Sequence, residues 1–177
     1  MIAASRRSFL KLGLVSSATL AGLAGLYRLT RDEALAPYQL DHHAQQALHA
    51  IARALLTGAL PSDEPAAAPN TGDNALTALE QRVQQTIHGL PLPAQQEIAD
   101  LFALLSFAPT RRLLAGIADW SNADNEQVTA FLQSWRGHRL ALLQSAYQAL
   151  HDIIFGAWYA DEGTWRTIGY PGPRTLS

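Results

Sequence analysis

The chain predicts an all-α fold: a single helical bundle of about five to six helices, preceded by an N-terminal signal helix and followed by a non-helical aromatic, Pro/Gly-rich tail. Three observations carry this. Apolar residues make up 48% of the 177, with alanine and leucine dominant and β-branched types sparse, so the balance of local propensity is helical. Apolar positions recur at steps of three and four along successive segments. No run alternates with the period of two that a half-buried strand requires, and there is no internal repeat.

The first helix of the body fits residues 41–57. Asp41 can cap its N-terminus and Gly58 can close it, while Ala44, Ala47, Leu48, Ile51 and Leu55 form one apolar face. Residues 59–72 read as a loop, because Pro61, Pro65 and Pro69 precede an Asn70-Thr71-Gly72 turn signal. A second helix fits 73–88, with Leu76, Leu79, Val83 and Ile87 inward and Gly89 as its stop. Leu90-Pro91-Leu92-Pro93 is a rigid connector in which Pro93 suits the first position of a third helix. That helix carries Ile98, Leu101, Phe102 and Leu105 and ends before Pro109.

Pro109 can start a short fourth helix closed by Gly116. Asp124 or Ser121 opens a fifth, with Val128, Phe131, Leu132 and Trp135 on one side and Gly137 as the breaker. The last and longest helix covers about 138–159, where Leu140, Leu143, Tyr147, Leu150, Ile154 and Trp158 follow one another at helical steps. From Ala160 to Pro173 the pattern is not helical. Two aromatics, two prolines and three glycines stand there in one short stretch.

Little in this body suggests chemistry of its own. Zero cysteines exclude disulfides, thiolate ligands, a nucleophilic thiol and covalent c-type haem attachment. Five of the thirteen basic residues precede Pro37; from there on eight arginines and no lysine face thirteen acids, a net charge of −5. An acidic body without a basic stripe argues against nucleic-acid binding. His42 and His43 are neighbours on different helix faces, His49 lies two turns on, and His88 ends a helix where its partial positive charge suits the macrodipole. No histidine pair at i, i+4 with a nearby carboxylate offers a helical metal site. His151-Asp152 is the best acid–base candidate, but Ser145 lies six residues back on another face and there is no Gly-x-Ser-x-Gly elbow. Asp63-Glu64 and Asp161-Glu162 read as solvated loop pairs, and Arg111-Arg112 as surface charge. Phosphate-binding glycine loops are absent. The expectation is therefore no catalytic residue, no metal and no cofactor in this chain.

The tail is different. Trp158, Tyr159, Trp165, Ile168, Tyr170, Pro171, Gly172 and Pro173 concentrate apolar area on a segment whose prolines have little freedom to lose. Aromatics on a preorganised segment are what interface hot spots use. They are the candidate partner-binding residues; packing back onto the chain's own bundle is the alternative, and the two are compatible.

At the other end, Ser5-Arg6-Arg7-Ser8-Phe9-Leu10-Lys11 stands directly ahead of the uncharged run 12–26. This looks like a twin-arginine export signal, a receptor-read address for proteins that cross already folded. Ser5, Arg6, Arg7, Phe9, Leu10 and Lys11 carry the match. The apolar run is about 22 Å long as helix, against a bilayer core of about 30 Å, and Gly13, Gly22, Gly25, Ser16, Ser17 and Thr19 dilute it. A signal is favoured over a permanent span, with a retained anchor as the alternative. Ala34-Leu35-Ala36 and Ala18-Thr19-Leu20-Ala21 are both small-x-small stretches, and the cleavage site stays open between them. The expected organisation is a signal segment over 1–36, a helical domain over 37–160 and an interaction tail over 161–177.

Four stretches together resemble a known family: the leader, Arg111-Arg112-Leu113-Leu114-Ala115-Gly116, Ala146-Tyr147-Gln148-Ala149-Leu150-His151-Asp152, and Trp165-Arg166-Thr167-Ile168-Gly169-Tyr170-Pro171-Gly172-Pro173. They are similar to the small subunits of membrane-associated flavin dehydrogenases, of the gluconate 2-dehydrogenase subunit 3 and sorbitol dehydrogenase small-subunit type. The likeness covers nearly the whole chain; its specific parts are the leader and the Gly-Tyr-Pro-Gly-Pro tail. It implies a non-catalytic escort that carries the export signal for a flavoprotein large subunit of the glucose–methanol–choline type. FAD would sit on that partner, the twin-arginine translocase would move the complex to the periplasm, in association with the inner membrane, and a cytochrome c subunit would take the electrons. The alternative is a free-standing exported helical enzyme, or a binding or anchor protein without a dehydrogenase partner.

Overall fold

Asp41 sets the first helix in place: its carboxylate accepts the backbone N–H of Ala44 at 2.8 Å, satisfying one of the donors that every helix start leaves open. The computed structural model describes residues 38–61, 71–165 and 169–172, all within one unit, Tyr38–Ser177. The export motif with Ser5, Arg6, Arg7, Phe9, Leu10 and Lys11, the apolar run 12–26, the Asp63-Glu64 pair, Ile168 and Pro173 lie outside the described residues.

Seven helices and no strand form among the described residues: α1 His42–Leu55, α2 Thr71–His88, α3 Leu92–Ser106, α4 Ala108–Ala115, α5 Asn125–Arg136, α6 Ala141–Tyr159 and α7 Glu162–Trp165. The fold is an all-α bundle. α1 packs against α2, α3 and α5, and α6 packs against α2 and α5. The core gathers Leu48 and Ile51 of α1, Leu79, Val83 and Ile87 of α2, Phe102 and Leu105 of α3, and Ile154 of α6. Each such side chain contributes about 1.5–3 kcal/mol by leaving water.

Trp120, Phe131 and Trp135 add an aromatic cluster, with ring centroids 6.0 and 4.7 Å apart and edge-to-face. Both indoles are also anchored by hydrogen bonds. Trp120 Nε1 donates to the Leu105 carbonyl at 2.8 Å and Trp135 Nε1 to the Leu114 carbonyl at 3.2 Å. Trp120 thus ties the segment before α5 to α3, and Trp135 ties α5 to α4.

The helix ends differ from expectation for identifiable reasons. α1 stops at Leu55, which is half-buried, and Leu56 in the capping turn is the buried residue instead. α2 begins at Thr71, so Thr71-Gly72 form its first turn and not a loop. α3 starts one residue ahead of Pro93, and buried Gln95 staples the connector by donating to the carbonyls of Leu90 and His88 at 2.9 and 3.3 Å. α6 begins at Ala141, because Leu140 takes the extended backbone of an N-cap. Leu140 therefore leaves the helical period and is 53% exposed; of the expected inward face, Leu150, Ile154 and Trp158 reach the core, while Leu143 and Tyr147 are half-buried.

Arg111 corrects the expectation of surface charge. It is buried, and its guanidinium donates to the carbonyls of Ser106, Ile117 and Ala118. It thereby ties the end of α3 to the segment following α4, where Gly116 turns the chain with φ +69°. Arg112, one residue on, is exposed.

Candidate functional site

The C-terminal end of α6 and the segment after it are tied together by a dense set of hydrogen bonds. A helix leaves its last four carbonyls without intrahelical donors. Here each finds one. The Gly156 carbonyl accepts the Ala160 N–H at 3.0 Å, and the Ala157 carbonyl accepts Arg82 Nε from α2 at 3.0 Å. The Trp158 carbonyl takes the Asp161 N–H at 3.3 Å and the Thr164 hydroxyl at 3.1 Å. Trp165 Nε1 closes the set by donating to the Tyr159 carbonyl at 2.7 Å.

Asp161 is the pivot of the next turn. Its carboxylate accepts Arg82 Nη1 at 3.0 Å on one oxygen and the Gly163 N–H at 2.9 Å on the other. This produces the single helical turn α7 inside a stretch expected to be non-helical. The capping preference of Asp supplies the local reason, and Arg82 the distant one. Beyond α7 the chain folds back over Trp165: the Tyr170 N–H donates to the Trp165 carbonyl at 2.9 Å and the two rings meet edge-to-face at 5.3 Å. Gly172, with φ +94°, faces the Trp165 ring, which a Cβ there would meet at 3.5 Å.

The candidate partner-binding residues therefore separate. Trp158 is 3% exposed and belongs to the core, which removes it from any accessible face. Its Nε1 is buried without a hydrogen-bond partner among the described residues. Tyr159, Trp165 and Gly172 are half-buried, whereas Tyr170 and Pro171 are exposed. Arg82 and Thr164 are the residues that sequence reasoning missed here. Arg82 stands 79 positions from Asp161, and no local pattern announces such a pairing.

A second feature was hidden by the core-facing period of α6. Tyr147, His151, Phe155 and Tyr159 recur every fourth residue and stack along the helix, with centroids 6.0, 4.5 and 5.9 Å apart. His151 Nδ1 lies 3.0 Å from Asp152 Oδ1, and Gln148 donates to the same oxygen at 2.6 Å. The His151 hydrogen bond, aided by Gln148 and opposed by partial desolvation, holds the Asp152 carboxyl below its ordinary value. Among the described residues the hydrogen bonds of this group run between these three side chains and include no hydroxyl.

Of the five remaining histidines, His138 accepts the Leu140 N–H on Nδ1 at 3.1 Å. His49 pairs with Glu80 at 2.9 Å between α1 and α2, His88 bonds Gln84 and the Tyr38 carbonyl, and His42 and His43 are exposed with rings edge-to-face at 5.8 Å. Among the described residues no three His, Cys, Asp or Glu side chains are placed to hold a metal ion. No helix among them is long and apolar enough to cross a membrane. No family model, curated protein or solved structure matches the chain.

Proposed function

We propose that this chain is a non-catalytic small subunit and export escort, which binds and stabilises an FAD-dependent dehydrogenase of the glucose–methanol–choline type and carries it through the twin-arginine route. The division of labour follows from the two ends. The arginine motif supplies the address, and the C-terminal segment supplies the contact. The flavin, the oxidised sugar or alcohol and the electron-accepting cytochrome c belong to partner subunits, with the complex at the periplasmic face of the inner membrane.

The observation that carries the reading is the pose of the C-terminal segment. Trp165 is tied to Tyr159, Tyr170 is folded onto Trp165, and Tyr170 is still 47% exposed. Binding through aromatics already held in position avoids part of the ordering entropy that a flexible tail would lose, about 0.5–1.5 kcal/mol per side chain. The export motif and the likeness of the Gly-Tyr-Pro-Gly-Pro stretch point to the class of partner.

The test is capture from the native host with an affinity-tagged full-length chain. A co-purifying flavoprotein with FAD absorbance and no export motif of its own is the expected result; recovery of the chain alone refutes the escort role. Converting Arg6 and Arg7 to lysine should also retain the dehydrogenase activity in the cytoplasm. Undiminished periplasmic activity would contradict escorting even if the two proteins bind.

A further inference from the structure

We infer that Arg82, on α2, is the positioning residue that fixes the C-terminal segment against the bundle and so sets the pose of Trp165 and Tyr170. The hydrogen bonds named above for that segment otherwise stay within it or return to α6. Ala160, Asp161, Thr164 and Trp165 all bond backward onto the helix they follow. Such bonds set the shape of the turn but leave it only as firmly placed as the end of α6. Arg82 reaches it from a different helix.

The geometry suits arginine specifically. One guanidinium bonds the Ala157 carbonyl through Nε and the Asp161 carboxylate through Nη1, both at 3.0 Å. A planar fork that grips the end of one helix and the cap of the next defines the angle between them, which a lysine's single charge centre cannot do. The Arg82 side chain is 24% exposed, so the contact is less screened than a surface pair. From Asp161 the constraint passes through the Gly163 N–H into α7, and from α7 through Trp165 to Tyr170 and Gly172. Residues 161–165 and 169–172 thus depend on a side chain contributed by α2.

Hydrogen exchange on the purified full-length chain tests this without any partner. Arg82→Gln should speed exchange of the Thr164 and Tyr170 amides by about tenfold, the loss expected when a charge-assisted bond to a local structure is removed. The Phe131 and Leu132 amides of α5 should keep their wild-type rates. Arg82→Lys should fall between the two proteins. Asp161→Asn, at a half-buried site and still able to accept the Gly163 N–H, provides a milder second variant, and it too should loosen Tyr170. Wild-type exchange at Thr164 and Tyr170 in both Arg82→Gln and Asp161→Asn overturns the inference. Equal acceleration in α5 and the tail also overturns it, since Arg82 would then act on the bundle at large.

The consequence for partner capture rests on the proposed function, and Arg82→Gln should lower flavoprotein recovery by about tenfold, in step with the exchange change. A wild-type chain that captures no flavoprotein defeats the proposed function and leaves the exchange result standing.

Discussion

Arg111→Met should destabilise the bundle by about 3 kcal/mol, although the adjacent Arg112→Met should change it by no more than about 0.5 kcal/mol. The magnitude comes from what Arg111 serves. Three backbone carbonyls, of Ser106, Ile117 and Ala118, take their side-chain donor from this one guanidinium. Charge-assisted hydrogen bonds contribute about 1.5–3 kcal/mol each when well formed. Those to Ser106 and Ile117 are long, at 3.3 Å, so the sum falls well short of three full bonds. Methionine keeps most of the stem volume and isolates the polar loss from cavity formation. Against this stands the cost of holding a cation in a buried place, which its removal would recover. The hydrogen bonds win, because Ser106 ends α3 and its carbonyl lies at the negative pole of that helix, where a cation is favoured.

Urea denaturation measures the effect directly. With a slope of about 2 kcal/mol/M for a domain of this size, the midpoint should fall by about 1.5 M for Arg111→Met. The Arg112→Met midpoint should match wild type. If both variants unfold at the wild-type midpoint, the three-carbonyl account of Arg111 is wrong and its burial contributes nothing net.

Other predictions follow from local geometry. Gly116→Ala should cost about 1 kcal/mol in the same assay, purely from forcing alanine to φ +69°, since no atom lies within 4 Å of the added Cβ; Gly89→Ala, at an ordinary φ, should stay near wild type. Leu48→Ala, at a site with no exposed area, should cost about 2–5 kcal/mol, and a smaller loss would mean that the α1 core collapses around the gap. The Ser121 hydroxyl and N–H, with Arg111 and Asn122 behind them, hold the Asp119 carboxyl below 3.8, and His151 does the same for Asp152. For a carboxyl depressed in the folded state the stabilisation is present above its unfolded value and is lost as pH falls through the folded one. Both contributions therefore begin to fade only as pH falls below 3.8; Ser121→Ala should move the Asp119 carboxyl resonance titration up toward 3.8, and an unchanged titration would refute the assignment.

Much of the bundle was legible because its signals are local. Asp41 caps the helix it was expected to cap, Asp124 is the one of the two candidates, Asp124 and Ser121, that caps α5, and Gly116 ends the helix it was expected to end. Leu76, Leu79, Val83 and Ile87, like Val128, Phe131, Leu132 and Trp135, are buried as their spacing required. What stayed illegible depends on distant partners. Arg111 and Arg112 are identical in type and adjacent in sequence, yet one is buried and the other exposed, and only the packing of α3 against α4 distinguishes them. Trp158 reads equally well as a core residue or as part of an exposed aromatic tail until the path of the chain beyond it is known. The helical turn α7 has Asp161 as its local signal, but glycine at position 163 and the prolines beyond weigh against a helix there. Arg82 tips that balance from another helix.

The C-terminal corner also shows why a turn so poor in helical propensity can be ordered at all. Its own bonds are short-range and close small loops, so they cost little chain entropy to form but provide little placement. The Arg82–Asp161 contact closes a loop of 79 residues, yet most of that closure has already been achieved by the packing of α2 against α6. The added entropy cost is therefore only that of one side chain and one turn. Once those are fixed, the Tyr159 carbonyl meets Trp165 Nε1 and the Trp165 ring has a set place on which Tyr170 can rest. A segment of glycine, proline and aromatics thus acquires a defined surface from the bundle's own folding.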